Sequence, residues 1–223
     1  GLGMLKEFSD LDFAEYLAYG KESFNSDEIN RTEIAQPLLF LVEYALARLL
    51  IHWGIKPDYM MGHSLGEYAA VCVAGGMSLE DGLRITAMRG KLMSEAPKGG
   101  MMSISLSADQ VREMIDSDLV IAAVNSPTST VIAGEIEQIE SFAKKLESQG
   151  TDHKKLKISI ASHSPLMDQA VLSLKEAMQS IEFKEIQIPI IQNLQGTVAK
   201  TGDVIGANYW GNHLRQAVQF SKG

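Results

Sequence analysis

The stretch Asp58-Tyr59-Met60-Met61-Gly62-His63-Ser64-Leu65-Gly66-Glu67 decides the fold. A short apolar run, residues 59–61, leads into a turn flanked by glycines, and residues 65–73 continue with helical spacing. Gly62, Ser64 and Gly66 match the pattern GxSxG, in which the glycines permit a strained turn that lifts a serine hydroxyl above a sheet. The order strand, turn, helix therefore predicts an α/β protein in which Ser64 is a nucleophile.

The pattern alone is weak evidence, because chance would produce it in about one chain of this length in ten. Its position between a strand and a helix strengthens it, since the first backbone amide of the helix, that of Leu65, can then donate to an oxyanion. A serine also needs a base, usually a histidine, within hydrogen-bond reach. The candidates for this role are His52, His63, His153, His163 and His213.

His163 is the best candidate for the base. It lies at a predicted strand-to-helix junction, just before Ser164-Pro165, which matches an N-cap followed by a proline at the first helical position. We expect its side chain to be exposed and rigidly held. His63 adjoins the serine, but neighbours on a strand point to opposite faces, so a supporting role is favoured for it. The other three histidines are interpreted as structural.

The remaining pattern predicts two subdomains. Apolar residues at helical spacing over 38–50 and again over 83–92 indicate long helices, the second of which carries Arg89. Residues 99–161 change to short elements in the order βαββαβ, which is typical of a ferredoxin-like unit. We therefore expect a larger α/β-hydrolase-like subdomain with a short parallel sheet, residues 1–98 and 162–223, and an inserted ferredoxin-like subdomain, residues 99–161.

Composition narrows the function. The chain has 223 residues, of which 45% are hydrophobic and 22% charged, as in ordinary globular proteins. Its net charge of -8 argues against nucleic-acid binding, which needs a basic face. Cys72 is the only cysteine, so neither a disulfide nor a thiolate metal site is expected, and a cytoplasmic location is favoured. Polar residues interrupt the longest apolar run, residues 34–53, and we expect neither a membrane span nor a signal peptide.

Several motifs together resemble one family. They are Thr32-Glu33-Ile34-Ala35-Gln36-Pro37, Gly62-His63-Ser64-Leu65-Gly66-Glu67-Tyr68, Arg89-Gly90-Lys91-Leu92-Met93, Ala161-Ser162-His163-Ser164-Pro165-Leu166-Met167, and Tyr209-Trp210 with His213-Leu214-Arg215. In this order they resemble the malonyl-CoA:acyl carrier protein transacylase family, and most of all the acyltransferase domains of modular polyketide synthases. The motifs span residues 32–223 and are far more specific than GxSxG alone.

The resemblance implies a ping-pong acyl transfer for polyketide or fatty-acid synthesis. Ser64 would take a malonyl-type acyl group from coenzyme A and pass it to the phosphopantetheine thiol of an acyl carrier protein, with His163 as base and then acid. Arg89 would pair with the free carboxylate of the acyl group, which guanidinium binds bidentately. The positions that match the substrate pocket are Gln36, His63, Asn125 and Ser162. Asn193 matches the position whose backbone carbonyl orients the histidine. The expected partners are an acyl carrier protein and other synthase domains, and no bound cofactor or metal is expected.

The resemblance leaves alternatives open. The family's glycine-glutamine strand end, which supplies a second oxyanion amide, and its glycine-proline segment beyond the last helix are missing, so we expect a fragment with turnover reduced about a hundredfold or more. Ser162 would leave room for methylmalonyl, whereas Leu65 is commoner in malonyl-type members, and we favour malonyl. An acyl hydrolase would use the same serine and histidine, but Arg89 favours transfer of a carboxylated group. A further alternative is a non-catalytic domain that only scaffolds a synthase, but such a domain has no need to keep Ser64, His163 and Arg89 together.

Overall fold

The computed structural model describes residues 1–9, 11–17 and 28–223, so part of the predicted larger subdomain lies outside the described residues. The α-helices are α1 (Leu2–Phe8), α2 (Phe13–Leu17), α3 (Thr32–His52), α4 (Leu65–Val73), α5 (Leu79–Glu95), α6 (Ala108–Met114), α7 (Ile136–Ser148), α8 (Asp168–Ala177) and α9 (Ala207–Arg215). The strands are β1 (Met60–Met61), β2 (Gly100–Ile104), β3 (Val120–Ser126), β4 (Ser129–Gly134), β5 (His153–Lys155), β6 (Ile190–Gln192) and β7 (Thr197–Ala199). Short 3-10 helices, Pro165–Met167 and Met178–Ser180, flank α8.

The larger unit is built around a three-stranded sheet in the order β1-β6-β7. β1 and β6 are parallel, with Met60 opposite Ile190, whereas β7 pairs antiparallel with β6. The parallel pair agrees with the predicted short parallel sheet, and the antiparallel β7 adds a strand that the sequence pattern did not indicate. α4 follows β1 directly and is buried along almost its whole length, which fixes the turn at Ser64 against the core.

α3 and α5 approach each other closely at a glycine. A Cβ atom on Gly90 would lie 2.7 Å from the backbone oxygen of Thr32 and 2.9 Å from the Cα of Glu33. Such a distance excludes any side chain, because both contacted atoms belong to the backbone of α3. The close approach brings the neighbouring Arg89 against the first turns of α3.

Within the described residues, α3 is the one helix whose length and apolar composition would allow it to cross a membrane. A helix of about 20 apolar residues can span a bilayer or lie in the core of a protein, so its length alone does not distinguish a membrane helix from a core helix. In this fold α3 packs on α4 and α5, and its first turns are buried. Its outer face leaves apolar side chains exposed, namely Leu39, Val42, Leu46 and Leu49. The expectation that the chain has no membrane span stays a prediction.

The smaller unit consists of β2, α6, β3, β4, α7 and β5, which is the βαββαβ order that the sequence predicts. Its sheet has the order β3-β4-β2-β5, and all neighbouring strands are antiparallel. α6 and α7 pack on this sheet around a second apolar core that includes Met102, Ile132 and Phe142. β5 is the shortest strand of this sheet, with three residues.

The chain after α9 joins the two units. Val218 exchanges backbone hydrogen bonds with β3, through Val218 N–H to Ala122 O at 2.9 Å and Val124 N–H to Val218 O at 2.8 Å. The segment thereby covers the edge of β3, whose backbone groups would otherwise lack partners. Although the predicted boundaries assign residues 162–223 to the larger subdomain, this segment pairs with the small sheet, because a strand edge can recruit a distant segment without any sequence periodicity.

Candidate active site

The nucleophile turn is strained in the way that the glycine pattern predicts. Ser64 has φ 50° and ψ -109°, a conformation that L-residues rarely adopt and that costs about 1–3 kcal/mol. Gly62 permits the turn, since a Cβ there would collide with the backbone of Gly66 and Glu67. Leu65 is the first residue of α4, so its N–H has no intrahelical acceptor and is free to face an oxyanion.

Ser64 and His163 are brought together from positions 99 residues apart. The Oγ of Ser64 lies 2.9 Å from Nε2 of His163, which is hydrogen-bond distance. His163 also has a positive φ, 60°, at the junction before the 3-10 helix that precedes α8. This geometry fits a serine hydroxyl that passes its proton to an imidazole.

His163 is buried, with 4% of its surface exposed, which corrects the expectation of an exposed side chain. The ring of His213 lies 6.0 Å away, edge to face, and the carbonyl of Gln216 also contacts the His163 ring, so α9 and the segment after it cover the junction. Burial, followed by the nearby His213 and the cation of Arg89, holds the pKa of His163 well below 6.5. The imidazole is therefore neutral at pH 7 and able to accept a proton.

A backbone carbonyl orients His163, but it is not the one that the resemblance implied. Nδ1 of His163 lies 2.9 Å from the carbonyl oxygen of Gln216, so Nδ1–H donates there and Nε2 is left as the acceptor toward Ser64. The carbonyl of Asn193 instead accepts from Gln219 N–H at 2.7 Å. The expected role of Asn193 is thus wrong, because the carbonyl in reach of His163 comes from the segment that follows α9.

The side chain of Asn193 contacts the nucleophile turn itself. Its Oδ1 accepts from the backbone N–H of Ser64 at 2.7 Å, and its Nδ2 donates to the carbonyl of Gly62 at 2.7 Å. Asn193 is 1% exposed and directly follows β6, the strand that pairs with β1. The amide therefore bridges the two backbone groups on either side of His63.

Arg89 is a buried cation next to the nucleophile. It is 2% exposed, and its Nη2 donates to Ser64 Oγ at 3.1 Å. Its Nη1 donates to Oε1 of Gln36, and its guanidinium lies 5.6 Å from the ring centre of Tyr68. In the part of the chain that the structure describes, no carboxylate forms an ion pair with Arg89, and its Nε has no hydrogen-bond partner. Burial lowers the pKa of Arg89, but a guanidinium remains a cation at neutral pH.

Of the other predicted pocket residues, Gln36 contacts Arg89 from the protein interior, whereas His63 and Ser162 lie nearer the surface. Gln36 is buried and holds Arg89, while its Nε2 donates to Thr32 Oγ1. His63 is exposed, and its Nε2 lies 2.8 Å from Oδ1 of Asn125 on β3. Ser162 is half-buried beside His163. The described residues contain no group of three or more His, Cys, Asp or Glu side chains that could hold a metal ion.

Sequence reasoning missed two contributors to the site, Gln216 and Glu67, and it interpreted His213, whose ring lies 6.0 Å from that of His163, as structural. Gln216 acts through its backbone carbonyl, which leaves no trace in residue type. Glu67 is fully buried behind Ser64, although a glutamate in the first turn of a helix normally indicates a solvated side chain near the positive end of the helix dipole. A signal for Glu67 existed, because it follows Ser64 by three residues on a helix whose other positions are nearly all apolar.

Comparison with known proteins identifies the family of the chain. Residues 4–223 match the family model described as acyl transferase domain. The chain is 43% identical over 195 residues to mycoketide-CoA synthase of Mycobacterium tuberculosis and 39% identical over 209 residues to the PKS-NRPS hybrid synthetase ATPKS of Aspergillus niger. These matches cover 86% and 91% of the chain but only 5% and 11% of the two synthases.

Solved structures give the same result. The crystal structure of the acyltransferase domain from the second module of the salinomycin polyketide synthase has a TM-score of 0.86 and 36% sequence identity. The match covers 99% of the present chain and 52% of the chain in that structure. FabD from Acinetobacter baumannii has a TM-score of 0.86 and 31% identity over 99% of the chain, which covers 73% of FabD. The chain therefore spans about half to three quarters of these structures, and it belongs to the acyl transferase domain family of polyketide synthases and FabD-type transacylases.

Proposed function

We propose that the chain transfers a malonyl-type acyl group from coenzyme A to the phosphopantetheine thiol of an acyl carrier protein, through an acyl-Ser64 intermediate. The observation that carries this proposal is Arg89, a buried cation 3.1 Å from the Ser64 hydroxyl with no carboxylate partner among the described residues. A buried charge is costly unless it is paired. A substrate carboxylate would supply the missing partner at the distance from the nucleophile that a short acyl chain spans.

The proposed chemistry follows from the contacts of Ser64. As Ser64 Oγ bonds to the thioester carbon, its proton passes to Nε2 of His163, and the N–H of Leu65 donates to the oxyanion. The carbon–sulfur bond then breaks, and His163 returns the proton to the coenzyme A sulfur. In the second half the carrier thiol gives its proton to His163, attacks the acyl carbon and displaces Ser64, which recovers the proton.

Selectivity within this class rests on the same pocket. Arg89 favours acyl groups that carry a free carboxylate over acetyl groups, because guanidinium and carboxylate form two parallel hydrogen bonds. We favour malonyl over methylmalonyl, because a leucine directly after the nucleophile, here Leu65, is commoner in malonyl-type members of the family that the chain resembles. The half-buried Ser162 instead favours methylmalonyl, because its small side chain would leave room for the extra methyl group.

The test is covalent loading of Ser64, followed by intact mass after incubation with malonyl-, methylmalonyl- or acetyl-coenzyme A. We expect a malonyl adduct that is absent from Ser64→Ala. Arg89→Ala should reduce malonyl loading about 10- to 100-fold, since a hydrogen bond to a charged group contributes about 1.5–3 kcal/mol. It should reduce acetyl loading much less, because an acetyl group has no carboxylate to pair with Arg89. Lys91→Ala, which removes an exposed cation from the same helix, is the matched control.

Two outcomes would contradict the proposal: an adduct that persists in Ser64→Ala, or acetyl loading as fast as malonyl loading. A preference for methylmalonyl would contradict only the choice of malonyl within the class of carboxylated acyl groups. Adding a carrier protein with its phosphopantetheine arm separates transfer from hydrolysis. Transfer predicts a malonyl group on the carrier thiol, whereas an acyl hydrolase of the same family would release free malonate at the same rate with or without the carrier.

We also infer that residues 99–161 form a ferredoxin-like subdomain inserted into an α/β-hydrolase-like one. The sheet order β3-β4-β2-β5 with two helices that pack on it supports the first assignment. The strand-turn-helix around Ser64 and the parallel pair of β1 and β6 support the second.

A further inference from the structure

A carboxylate is buried directly behind the nucleophile. Glu67 lies on the first turn of α4, three residues after Ser64, and its side chain has no exposed surface. Its Oε2 accepts from the backbone N–H of Asn193 at 2.9 Å, and its Oε1 accepts from the hydroxyl of Tyr209 at 2.5 Å. Nε2 of His213 lies 3.3 Å from Oε2, without the geometry of a hydrogen bond. A carboxylate at this depth is tolerated only when its oxygens are paired, as they are here.

The three elements that Glu67 joins are those that hold the reacting groups. α4 carries the nucleophile at its start, Asn193 follows β6, and Tyr209 lies on α9, which leads into Gln216 and its carbonyl on His163. Burial and the adjacent carboxylate raise the pKa of Tyr209, so its phenol stays protonated and continues to donate.

Asn193 is suited to its position because it presents one acceptor and one donor. The N–H of Ser64 needs an acceptor and the carbonyl of Gly62 needs a donor, and only an amide side chain of this length supplies both. The Asn193 backbone is fixed in turn on both sides, by Glu67 at its N–H and by Gln219 at its carbonyl. One connected set of hydrogen bonds thus runs from Glu67 through Asn193 to the strained turn and to the segment that orients His163.

We propose that Glu67 and Asn193 are positioning residues, which hold the Ser64 hydroxyl in line with His163 by fixing the backbone of the nucleophile turn. Neither side chain touches the reacting atoms. The proposal rests on the proposed function only for the identity of the acyl substrate, since the alignment of Ser64 with His163 affects the reaction of Ser64 with any electrophile.

The primary test is Asn193→Asp, which is nearly isosteric and keeps the acceptor for Ser64 N–H but loses the donor to Gly62. We expect the maximal rate of malonyl loading to fall about 10- to 100-fold, because small misplacements of reacting groups have effects of this size. The half-saturating concentration of malonyl-coenzyme A should stay the same, since Arg89 is untouched. Asn208→Asp, the same change at an exposed position of α9, is the control.

A second pair of variants tests Glu67. Glu67→Gln keeps an acceptor for Asn193 N–H, whereas Glu67→Met keeps a similar volume and removes both acceptors. The expected order of maximal rates is wild type, then Gln, then Met, with each rate corrected for the folded fraction from thermal unfolding. Glu147→Gln, on the exposed face of α7, is the matched control.

The rate of Ser64 labelling by a fluorophosphonate provides a readout that does not depend on acyl selectivity. In this reaction a phosphorus–oxygen bond forms, fluoride leaves, and His163 accepts the serine proton. We expect Asn193→Asp to slow labelling by the same factor as malonyl loading. Folded Asn193→Asp protein that labels at the wild-type rate would overturn the proposal, even if Glu67→Met fails to fold. Wild-type protein that labels but does not load malonyl would contradict the proposed function alone.

Discussion

Ser64 and His163 are the two non-glycine residues with positive φ in the described part of the chain, and they are held by different means. The turn at Ser64 is bridged by a side chain, that of Asn193, whereas His163 is oriented by a backbone carbonyl, that of Gln216. A side-chain bridge depends on residue type and can be removed by substitution. A carbonyl depends only on the path of the chain, so the two halves of the site should respond very differently to mutation.

The largest expected effect is the loss of the base. His163→Ala removes the proton acceptor 2.9 Å from Ser64 Oγ, and general base catalysis contributes about 10²- to 10⁴-fold. We expect the rate of malonyl loading, followed by intact mass, to fall within that range. His52→Ala, at the exposed end of α3, should load at the wild-type rate. A His163→Ala protein that loads normally would mean that another group deprotonates Ser64.

The pH dependence of loading tests the burial of His163. Its pKa is held well below 6.5, first by burial and then by His213 and Arg89, so the neutral base persists as the pH falls through 6.5. The loading rate should stay level from pH 8 to below 6.5 and decline only in more acidic buffer. Arg89→Ala removes a cation near His163, which should move the decline toward higher pH. A decline in wild-type protein centred at or above 6.5 would contradict this account.

The local parts of the fold were predictable from sequence because they are encoded locally. Residues 65–73 form α4 as their spacing predicts, and the helical spacing over 83–92 lies within α5. The pairing of Val218 with β3 was not predictable, since a backbone edge accepts any extended segment that the fold brings to it. The hydrophobic pattern of one strand does not indicate which other segment of the chain will pair with it.

The candidate site shows the same division. The flanking glycines indicate that Ser64 is a nucleophile, and the following Ser164-Pro165 indicates that His163 lies at the start of a helix. Burial of His163 depends on how distant elements close over the junction, which residue types at the junction do not report. Glu67 was missed because a glutamate in the first turn of a helix is normally solvated, even though the apolar residues around it indicate burial. Gln216 was missed because its contribution is a backbone carbonyl, which every residue carries.

The smallest expected effect comes from Gln216, and it separates the two modes of support most directly. The Gln216 side chain is exposed, and only its carbonyl reaches Nδ1 of His163 at 2.9 Å. Gln216→Ala keeps that carbonyl, so loading and fluorophosphonate labelling should stay within about twofold of wild type, in the range of surface substitutions. The corresponding change on the nucleophile side, Asn193→Ala, removes both bridging hydrogen bonds and should slow labelling at least tenfold. If Gln216→Ala were as damaging as Asn193→Ala, the orientation of His163 would depend on a side chain, and the contrast between the two halves of the site would fail.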